Sequence, residues 1–297
     1  MAVLDEFKNA FQRPNNGLIQ LIIINVVVYV ALSVLKVFAL WFNFESVFIA
    51  VYDQFSLPSS FLDFLQRPWT LITYFFSHSM IQFLHILFNM LVLYWFGRIF
   101  TEYLGSDKLI AVYVLGGIAG GLVYLMAYNL IPNPPEFLSR GTGLVGASAA
   151  IFAVMVAIAT MLPDYTVFLM FLGPVKIKYI AGVYIFLSFV GSVGSNAGGE
   201  IAHLGGALIG FVYTKQLQAG VNWGAWVTYL LEGIKSLFRP RPKVKVSYRK
   251  SDGGQRPTAG SGISQKEIDD ILDKISDGGY ESLSKDEKEK LFKASKK

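Results

Sequence analysis

The chain has 297 residues, of which 53% are hydrophobic and only 16% charged, and its formal net charge is +5. Because soluble domains carry about 25% charged residues, this composition excludes an ordinary soluble enzyme and indicates a multi-pass membrane protein in contact with the lipid bilayer. The absence of cysteine excludes disulfides, thiol nucleophiles and cysteine-ligated zinc. The basic residues concentrate at the ends of apolar segments and in the tail, which is typical of membrane orientation, and we expect no nucleic-acid partner.

The N-terminal part of the chain changes from polar to strongly apolar. Residues 1–16 form a polar lead that we place in the cytoplasm, and residues 17–35 are the first candidate membrane span. The apolar core of this span is longer than that of a signal peptide, and no small-residue cleavage site follows, so we expect a retained helix. Residues 36–66 are apolar but interrupted by Asp53, Pro58 and Asp63, a pattern that favours an amphipathic segment lying in the interface.

Five further apolar segments predict five more spanning helices. They run from Trp69 to about Arg98 and then over about 108–130, 141–162, 177–193 and 201–217. The prediction is therefore an all-α membrane protein whose six-helix domain covers residues 17–217.

The distribution of basic residues predicts the orientation of these helices. With six spans, both termini and most lysines and arginines share one side, which the positive-inside rule assigns to the cytoplasm. We therefore expect a multi-pass protein of the cell membrane with both termini cytoplasmic. Helices two, four and six then all begin at the outer face.

The segment after the sixth span divides into three parts. Residues 218–245 predict an interfacial amphipathic helix followed by a basic segment, although a seventh span is an alternative that would bury Glu232 and Lys235. Residues 246–263 are rich in glycine and polar residues and predict a flexible linker.

The last segment, 264–297, carries two capping-box patterns, Ser264 to Glu267 and Ser284 to Glu287, and predicts a small helical hairpin. In this hairpin an apolar face of the first helix is expected to pack against Leu291 and Phe292 of the second. That face is formed by Ile268, Ile271, Leu272 and Ile275. A hairpin of this size needs an unidentified partner or the membrane for stability, and a loosely ordered tail is the alternative.

A serine and a histidine inside apolar segments are the strongest candidates for chemistry. Ser148 lies near the start of the fourth helix and His203 near the start of the sixth, so both are expected roughly 10 Å below the outer interface. Gly206 and Gly210 share a helix face with His203, and Ala149, Ala153 and Ala157 form a matching stripe after Ser148. If the two stripes pack together, His203 can act as the base that a weakly nucleophilic serine requires.

Two further polar residues lie at the same predicted depth. His85 and Asn89 are four residues apart and therefore share a helix face, where two hydrogen-bond donors could meet the negative charge of a tetrahedral intermediate. The alternative is a polar pair that joins two helices, which is common in membranes, and any one of the three histidines could be a packing residue.

Other mechanisms lack the residues they need. None of the three histidines is followed by glutamate, which argues against a metalloprotease motif, and no pair of spanning aspartates is present. Glu200 is close to His203 in sequence but is expected at the solvated mouth of the helix, so the residues predict a Ser-His dyad rather than a triad. We expect neither a metal nor another cofactor.

These motifs, taken in order, resemble the rhomboid family of intramembrane serine proteases. The matching pieces are Pro68-Trp69, the HILFN segment at 85–89, FGRIFTEYLG at 96–105, GASA at 146–149 and AHLGGALIG at 202–210. The resemblance covers about residues 15–217 and is to bacterial six-helix members, some of which carry a short C-terminal tail. It implies Ser148 as nucleophile, His203 as general base, and His85, Asn89 and the Ser148 backbone N–H as the oxyanion site. Substrates would be transmembrane segments of other proteins, and the fifth helix would be the gate through which they enter.

The chain departs from the family pattern at two positions. Ala149 follows Ser148 where the family usually has glycine. Thr70 follows Trp69 where many members have arginine, and this is expected to loosen the first loop of the family, to which the interfacial segment 36–66 would correspond. Ala149 motivates a second hypothesis, a catalytically silent relative that binds or remodels membrane clients. A transporter is a third class, but inverted repeats and charged midplane sites are not evident.

Overall fold

The computed structural model describes residues 16–132, 135–139, 143–169, 173–238 and 265–295. The lead at 1–15, the predicted basic segment from 239 to 245, the linker at 246–263 and Ser264 lie outside the described residues. The internal contacts divide the chain into two units, Met1–Arg239 and Pro240–Lys297.

The described part of the first unit is built mainly from α-helices. In chain order they are α1 (Gly17–Trp41), α2 (Glu45–Tyr52), α3 (Phe61–Gln66), α4 (Thr70–Thr73), α5 (Phe83–Leu104), α6 (Ser106–Leu130), α7 (Glu136–Ser139), α8 (Ser148–Met161), α9 (Ile177–Gly191), α10 (Ala197–Gln218) and α11 (Ala225–Phe238). The prediction of an all-α bundle is confirmed. The departure is a small antiparallel hairpin of β1 (Thr166–Leu169) and β2 (Gly173–Lys176), in which Thr166 lies opposite Lys176.

Three helices, α1, α5 and α6, are long and apolar enough to cross a bilayer. Two shorter apolar helices, α8 and α9, have 14 and 15 residues. Large apolar side chains are exposed along α1 and α9, including Val30 and Phe186, which is the surface expected for contact with lipid. The molecule is therefore a membrane protein, whereas the count of six spans stays a prediction.

The prediction of one continuous second helix was wrong. Between Trp69 and Arg98 the chain forms α4, a 3-10 turn at Tyr74–Phe76, a non-helical stretch at 77–82 and then α5. Backbone groups of this stretch bond to distant parts of the chain instead of to their own helix. The Gly146 N–H donates to the Tyr74 carbonyl, at 3.1 Å, and the Tyr113 hydroxyl donates to the Phe75 carbonyl, at 2.9 Å.

Helix α8 lies at the centre of the bundle, between α6 and α10. Every side chain from Ala149 to Ala159 is buried, as expected for a helix that is apolar on all faces. It begins at Ser148 and not at 141 as predicted, because Gly143 and Gly146 have positive φ angles and Leu144 pairs with Leu57 instead of entering the helix. This shortening places Ser148 at the first helical position.

A buried polar chain attaches α1 to the bundle. Asn25 donates from Nδ2 to the Tyr113 hydroxyl, at 3.0 Å, and Tyr113 in turn holds the Phe75 carbonyl. A buried polar group in an apolar surrounding is stable only when it is hydrogen-bonded, so these contacts fix the position of α1 along the bundle.

Helix α11 begins at Ala225, and its Val227 side chain is buried, whereas Trp226 and Leu230 are exposed. The predicted interfacial face, which begins with Trp223, is therefore open at Trp226 and Leu230, whereas Trp223 packs partly against the core. Its contact with lipid stays a prediction.

The second unit contains α12 (Gln265–Gly278), a 3-10 turn at Tyr280–Ser282 and α13 (Lys285–Ser295), as the predicted hairpin requires. The capping box is present, since the Glu287 N–H donates to Ser284 Oγ and the Ser284 N–H donates to Glu287 Oε2. The predicted apolar face is wrong in part: Ile271 and Leu283 are buried, whereas Leu272 and Phe292 are exposed. Leu283 lies in the connection between the two helices, which turns back toward α12. The prediction used the periodicity of apolar residues within the helices and therefore did not include Leu283.

Candidate active site

Ser148 is presented at the start of α8 by a tightly constrained loop. Gly146, two residues earlier, has a φ of +129°, and a Cβ at that position would lie 3.0 Å from the His85 ring. Leu144 in this loop is bonded to Leu57, and their backbone groups exchange hydrogen bonds of 3.0 and 2.8 Å. The first N–H groups of a helix have no carbonyl partner in that helix, so the Ser148 hydroxyl lies beside free backbone donors and the positive end of the helix dipole.

His203 projects from α10 directly at this serine. Its Nε2 lies 2.7 Å from Ser148 Oγ, so the predicted contact is present. The imidazole also stacks on the Phe152 ring, with centroids 4.3 Å apart and an interplanar angle of 12°. Stacking on one face and a hydrogen bond at one edge leave the imidazole little freedom to turn.

The close approach of α8 and α10 depends on small residues, as the sequence predicted. A Cβ added at Gly206 would lie 2.0 Å from the Ala149 carbonyl oxygen, and one at Gly210 would lie 2.3 Å from that of Ala153. One turn further, Thr214 Oγ1 donates to the Ala157 carbonyl at 3.2 Å. The two stripes therefore pack in register along three turns, which brings Ser148 and His203 together at one end.

The other ring nitrogen of His203 has partners that the sequence analysis did not assign. Nδ1 lies 3.1 Å from Glu200 Oε2 and 3.1 Å from Ser188 Oγ of α9. The expectation of a solvated Glu200 and an unaccompanied dyad was wrong in geometry, because Glu200 turns inward and its side chain is only 23% exposed. The signal was available, since residues three apart on a helix share a face.

His85 and Asn89 line the same cavity from α5, and the His85 ring lies against the Gly146 backbone. Asn89 Nδ2 donates to the His85 carbonyl of its own helix, at 2.9 Å. An amide has two N–H donors, so one remains for a ligand. The buried His78 ring packs edge-on against His85, with centroids 5.4 Å apart, and supports its orientation.

These side chains open into a cavity of about 860 Å³, lined also by Val92, Met155, Tyr184 and Asn196. A volume in this range accommodates a ligand of several residues, and the lining combines apolar walls with a few convergent polar groups. The arrangement supplies a nucleophile, a base and hydrogen-bond donors, which are the parts that acyl transfer requires. Within the described residues, no cluster of three or more acidic or histidine side chains is arranged to hold a metal ion.

Sequence reasoning placed Glu200 in solvent and missed Ser188, Leu57 and Gly120. A Cβ at Gly120 would lie 2.6 Å from the Ala149 methyl group and 2.8 Å from the Ala202 carbonyl oxygen. Gly120 of α6 therefore gives the space that the Ala149 methyl group occupies. No pattern within α6 alone distinguishes this glycine from its neighbours Gly116, Gly117 and Gly121.

Comparison with known proteins gives two family matches. The model of the rhomboid domain matches residues 65–219, and that of a family of unknown function, DUF6576, matches residues 262–297. The first match includes Ser148, His203, His85 and Asn89, and the second covers the described hairpin.

Several curated proteins are similar to the chain. RHOMBOID-like protein 12, mitochondrial, of Arabidopsis thaliana is 31% identical over 207 residues, which are 66% of this chain and 59% of that protein. Rhomboid protein 1, mitochondrial, of Saccharomyces cerevisiae is 31% identical over 182 residues, or 54% of this chain and 49% of the relative. The chain thus spans about half the length of the curated relatives it matches. Since the domain model covers more than half of the chain, this protein belongs to the rhomboid family.

Proposed function

We propose that this protein is an intramembrane serine endopeptidase that cleaves transmembrane segments of other membrane proteins. The observation that carries the proposal is the 2.7 Å contact between Ser148 Oγ and His203 Nε2 at the wall of an open cavity. A half-buried serine and imidazole in this relation are typical of an activated nucleophile. Family membership supports the same reaction class.

In the proposed reaction, His203 Nε2 takes the hydroxyl proton while Ser148 Oγ attacks the carbonyl carbon of the scissile peptide. The oxyanion that forms is met by the Ser148 backbone N–H and by donors from His85 and Asn89. The protonated His203 then gives its proton to the leaving amine, and an acyl-enzyme remains on Ser148. Water, deprotonated by His203, releases the acyl group and restores the hydroxyl. No step uses a metal or another cofactor.

The proposed route of substrate entry is past α9. The buried residues of this helix are Ile177, Ala181 and Ser188, whereas most of its apolar side chains face outward. An element with so few buried contacts is displaced at low cost, and its Tyr184 lines the cavity. A transmembrane segment that has unwound locally could reach Ser148 through this side.

We further propose that both termini lie on the cytoplasmic side of the cell membrane, because basic residues collect on that side of the predicted spans. Since the chain has no cysteine, single cysteines introduced at Asn16 and Ser295 can report their side through an impermeant maleimide. Both should react only after the cells are permeabilised. Labelling of either one in intact cells would reverse the proposed orientation.

The test of activity is labelling by a fluorophosphonate probe in detergent, followed by identification of the modified residue. The wild type should be labelled at Ser148, and both Ser148→Ala and His203→Ala should lose the label. Ser192→Ala, which removes an exposed hydroxyl at the end of α9, is the matched control and should label normally. A folded wild type that takes no label would favour the hypothesis of a silent relative that binds membrane clients.

A further inference from the structure

The edge of His203 that faces away from Ser148 is enclosed by two side chains from two helices. Glu200 Oε2 lies 3.1 Å from Nδ1 on the same helix, and Ser188 Oγ reaches Nδ1 at 3.1 Å from α9. If the Ser148 hydroxyl donates to Nε2, the ring proton is on Nδ1 and needs an acceptor. A carboxylate is a stronger acceptor for this proton than a hydroxyl.

The Glu200 carboxylate is held in place by its own neighbours. Asn196 Nδ2 lies 3.5 Å from Glu200 Oε1, and Glu200 Oε2 shares the His203 Nδ1 edge with the Ser188 hydroxyl, each at 3.1 Å from Nδ1. The aliphatic part of Glu200 packs against the backbone of Gly191, where an added Cβ would lie 3.0 Å from Glu200 Cγ. Contacts on three sides distinguish this carboxylate from one that turns freely at a helix end.

The position of Glu200 also has an electrostatic consequence. Glu200 lies in the first turn of α10, where the positive end of the helix dipole favours a negative charge. The same carboxylate lies 3.1 Å from His203 Nδ1, so it also stabilises the imidazolium that forms when Ser148 attacks.

We infer that Glu200 is a positioning residue that completes a Ser148–His203–Glu200 triad. This inference rests on the proposed function, because it assigns the residue that acts on the general base. Glu200 accepts the Nδ1 hydrogen bond and stays ionised throughout, while the proton of Ser148 travels to Nε2 and onward to the leaving group. The carboxylate sets the tautomer of the ring and stabilises its protonated form.

The test is the rate of fluorophosphonate labelling of the full chain as a function of pH, for the wild type, Glu200→Gln and Glu200→Asp. Removing the acid of a hydrolase triad lowers the rate by up to about 10⁴-fold, and we expect at least a tenfold loss for Glu200→Gln because this carboxylate is partly exposed. His203 must be neutral to accept a proton, so the acidic limb of the profile reports its protonation. Without the carboxylate that limb should move to lower pH, whereas Glu200→Asp should keep the wild-type midpoint with a reduced maximum.

The pH readout separates positioning from packing. The other titratable side chains that line the cavity are His85, Tyr124, Tyr128 and Tyr184, and all are unchanged in these variants. Glu102→Gln removes the same charge from an exposed site on α5 and should leave the profile unaltered. An unmoved midpoint in Glu200→Gln, with or without a lower rate, would overturn the inference while the proposed function stood.

Two further results of this experiment also decide between the hypotheses. If the wild type itself takes no label, the proposed function fails first. If Glu200→Gln does not fold, Glu200→Ala decides instead: an acidic limb moved to lower pH supports the assignment, and an unmoved limb contradicts it.

Discussion

The methyl group of Ala149 packs directly against the backbone of Gly120. These two residues belong to α8 and α6, and a Cβ at Gly120 would lie 2.6 Å from the Ala149 Cβ. The alanine that departs from the family pattern next to Ser148 is therefore matched by a glycine on the neighbouring helix. In this arrangement Ser148 and His203 keep their 2.7 Å contact, so the departure does not distort the candidate site.

Gly120→Ala should destabilise the bundle. The added methyl group would meet both the Ala149 Cβ and the Ala202 carbonyl oxygen, at 2.6 and 2.8 Å, and neither is the flexible end of a side chain. Overpacking of this kind costs about 1–3 kcal/mol. The measurement is the free energy of unfolding in mixed detergent micelles.

The control for Gly120→Ala is Gly182→Ala in α9, where no atom lies within 4 Å of the added Cβ. Here the higher helix propensity of alanine should stabilise by up to about 1 kcal/mol. Equal effects of the two substitutions would mean that helix propensity, and not the contact with Ala149, decides the outcome.

Gly146→Ala should reduce fluorophosphonate labelling by at least tenfold. At a φ of +129° an L-residue is strained, and the added Cβ would lie 3.0 Å from the His85 ring, so the loop must shift and carry Ser148 with it. Gly105→Ala separates the two causes, because its φ is +84° but nothing lies within 4 Å. That variant should lose about 1–3 kcal/mol of stability and still be labelled at the wild-type rate. Full labelling of Gly146→Ala would show that the loop does not position the serine.

The sequence was sufficient to predict the contact between Ser148 and His203. Hydropathy set the two residues at similar depth, and the glycine and alanine stripes indicated which helix faces meet. Both signals are local and periodic. They can be recognised in a single sequence because they reflect the burial of one helix face.

The partners of His203 Nδ1 could not be predicted in the same way. The position of Ser188 depends on how α9 closes over α10, and α9 shows no polar periodicity that points to this contact. The break between Tyr74 and Phe83 was missed for a related reason, since its backbone groups bond to Gly146 and Tyr113, which are distant in sequence. Hydrogen bonds between distant segments leave no local pattern.

Asn89→Ala should slow labelling by about 100- to 1,000-fold, the range found when one oxyanion donor is removed. The alternative is that the Asn89 amide only caps the His85 carbonyl, with which it bonds at 2.9 Å. Asn129→Ala tests this alternative, because Asn129 donates in the same way to the carbonyl four residues earlier, at 2.7 Å, but lies away from the cavity. We expect Asn129→Ala to lower the unfolding temperature without slowing the reaction. A similar loss of stability and no loss of rate in Asn89→Ala would remove Asn89 from the oxyanion site.

The C-terminal hairpin should lose protection as the pH falls from about 4.5 toward 2. A hydrogen bond from Lys274, with further ones from Ser284, lowers the pKa of Glu287 from 4.5 to about 2. Because the folded value is lower than the unfolded one, the stabilisation is fully present above the unfolded pKa and disappears as the pH falls through the folded pKa. Hydrogen exchange of the full chain, expressed as protection factors for residues 285–290, is the measurement.

Glu287→Gln keeps the side-chain acceptor that the capping box needs but removes the charge that pairs with Lys274. Its protection should therefore be lower than that of the wild type at pH 6 and nearly constant down to pH 2. Glu281→Gln removes a charge from an almost fully exposed side chain of the same hairpin and should keep the wild-type pH dependence. If Glu281→Gln and Glu287→Gln changed the profile equally, net charge would be the cause, and the pairing of Glu287 with Lys274 would not govern the hairpin.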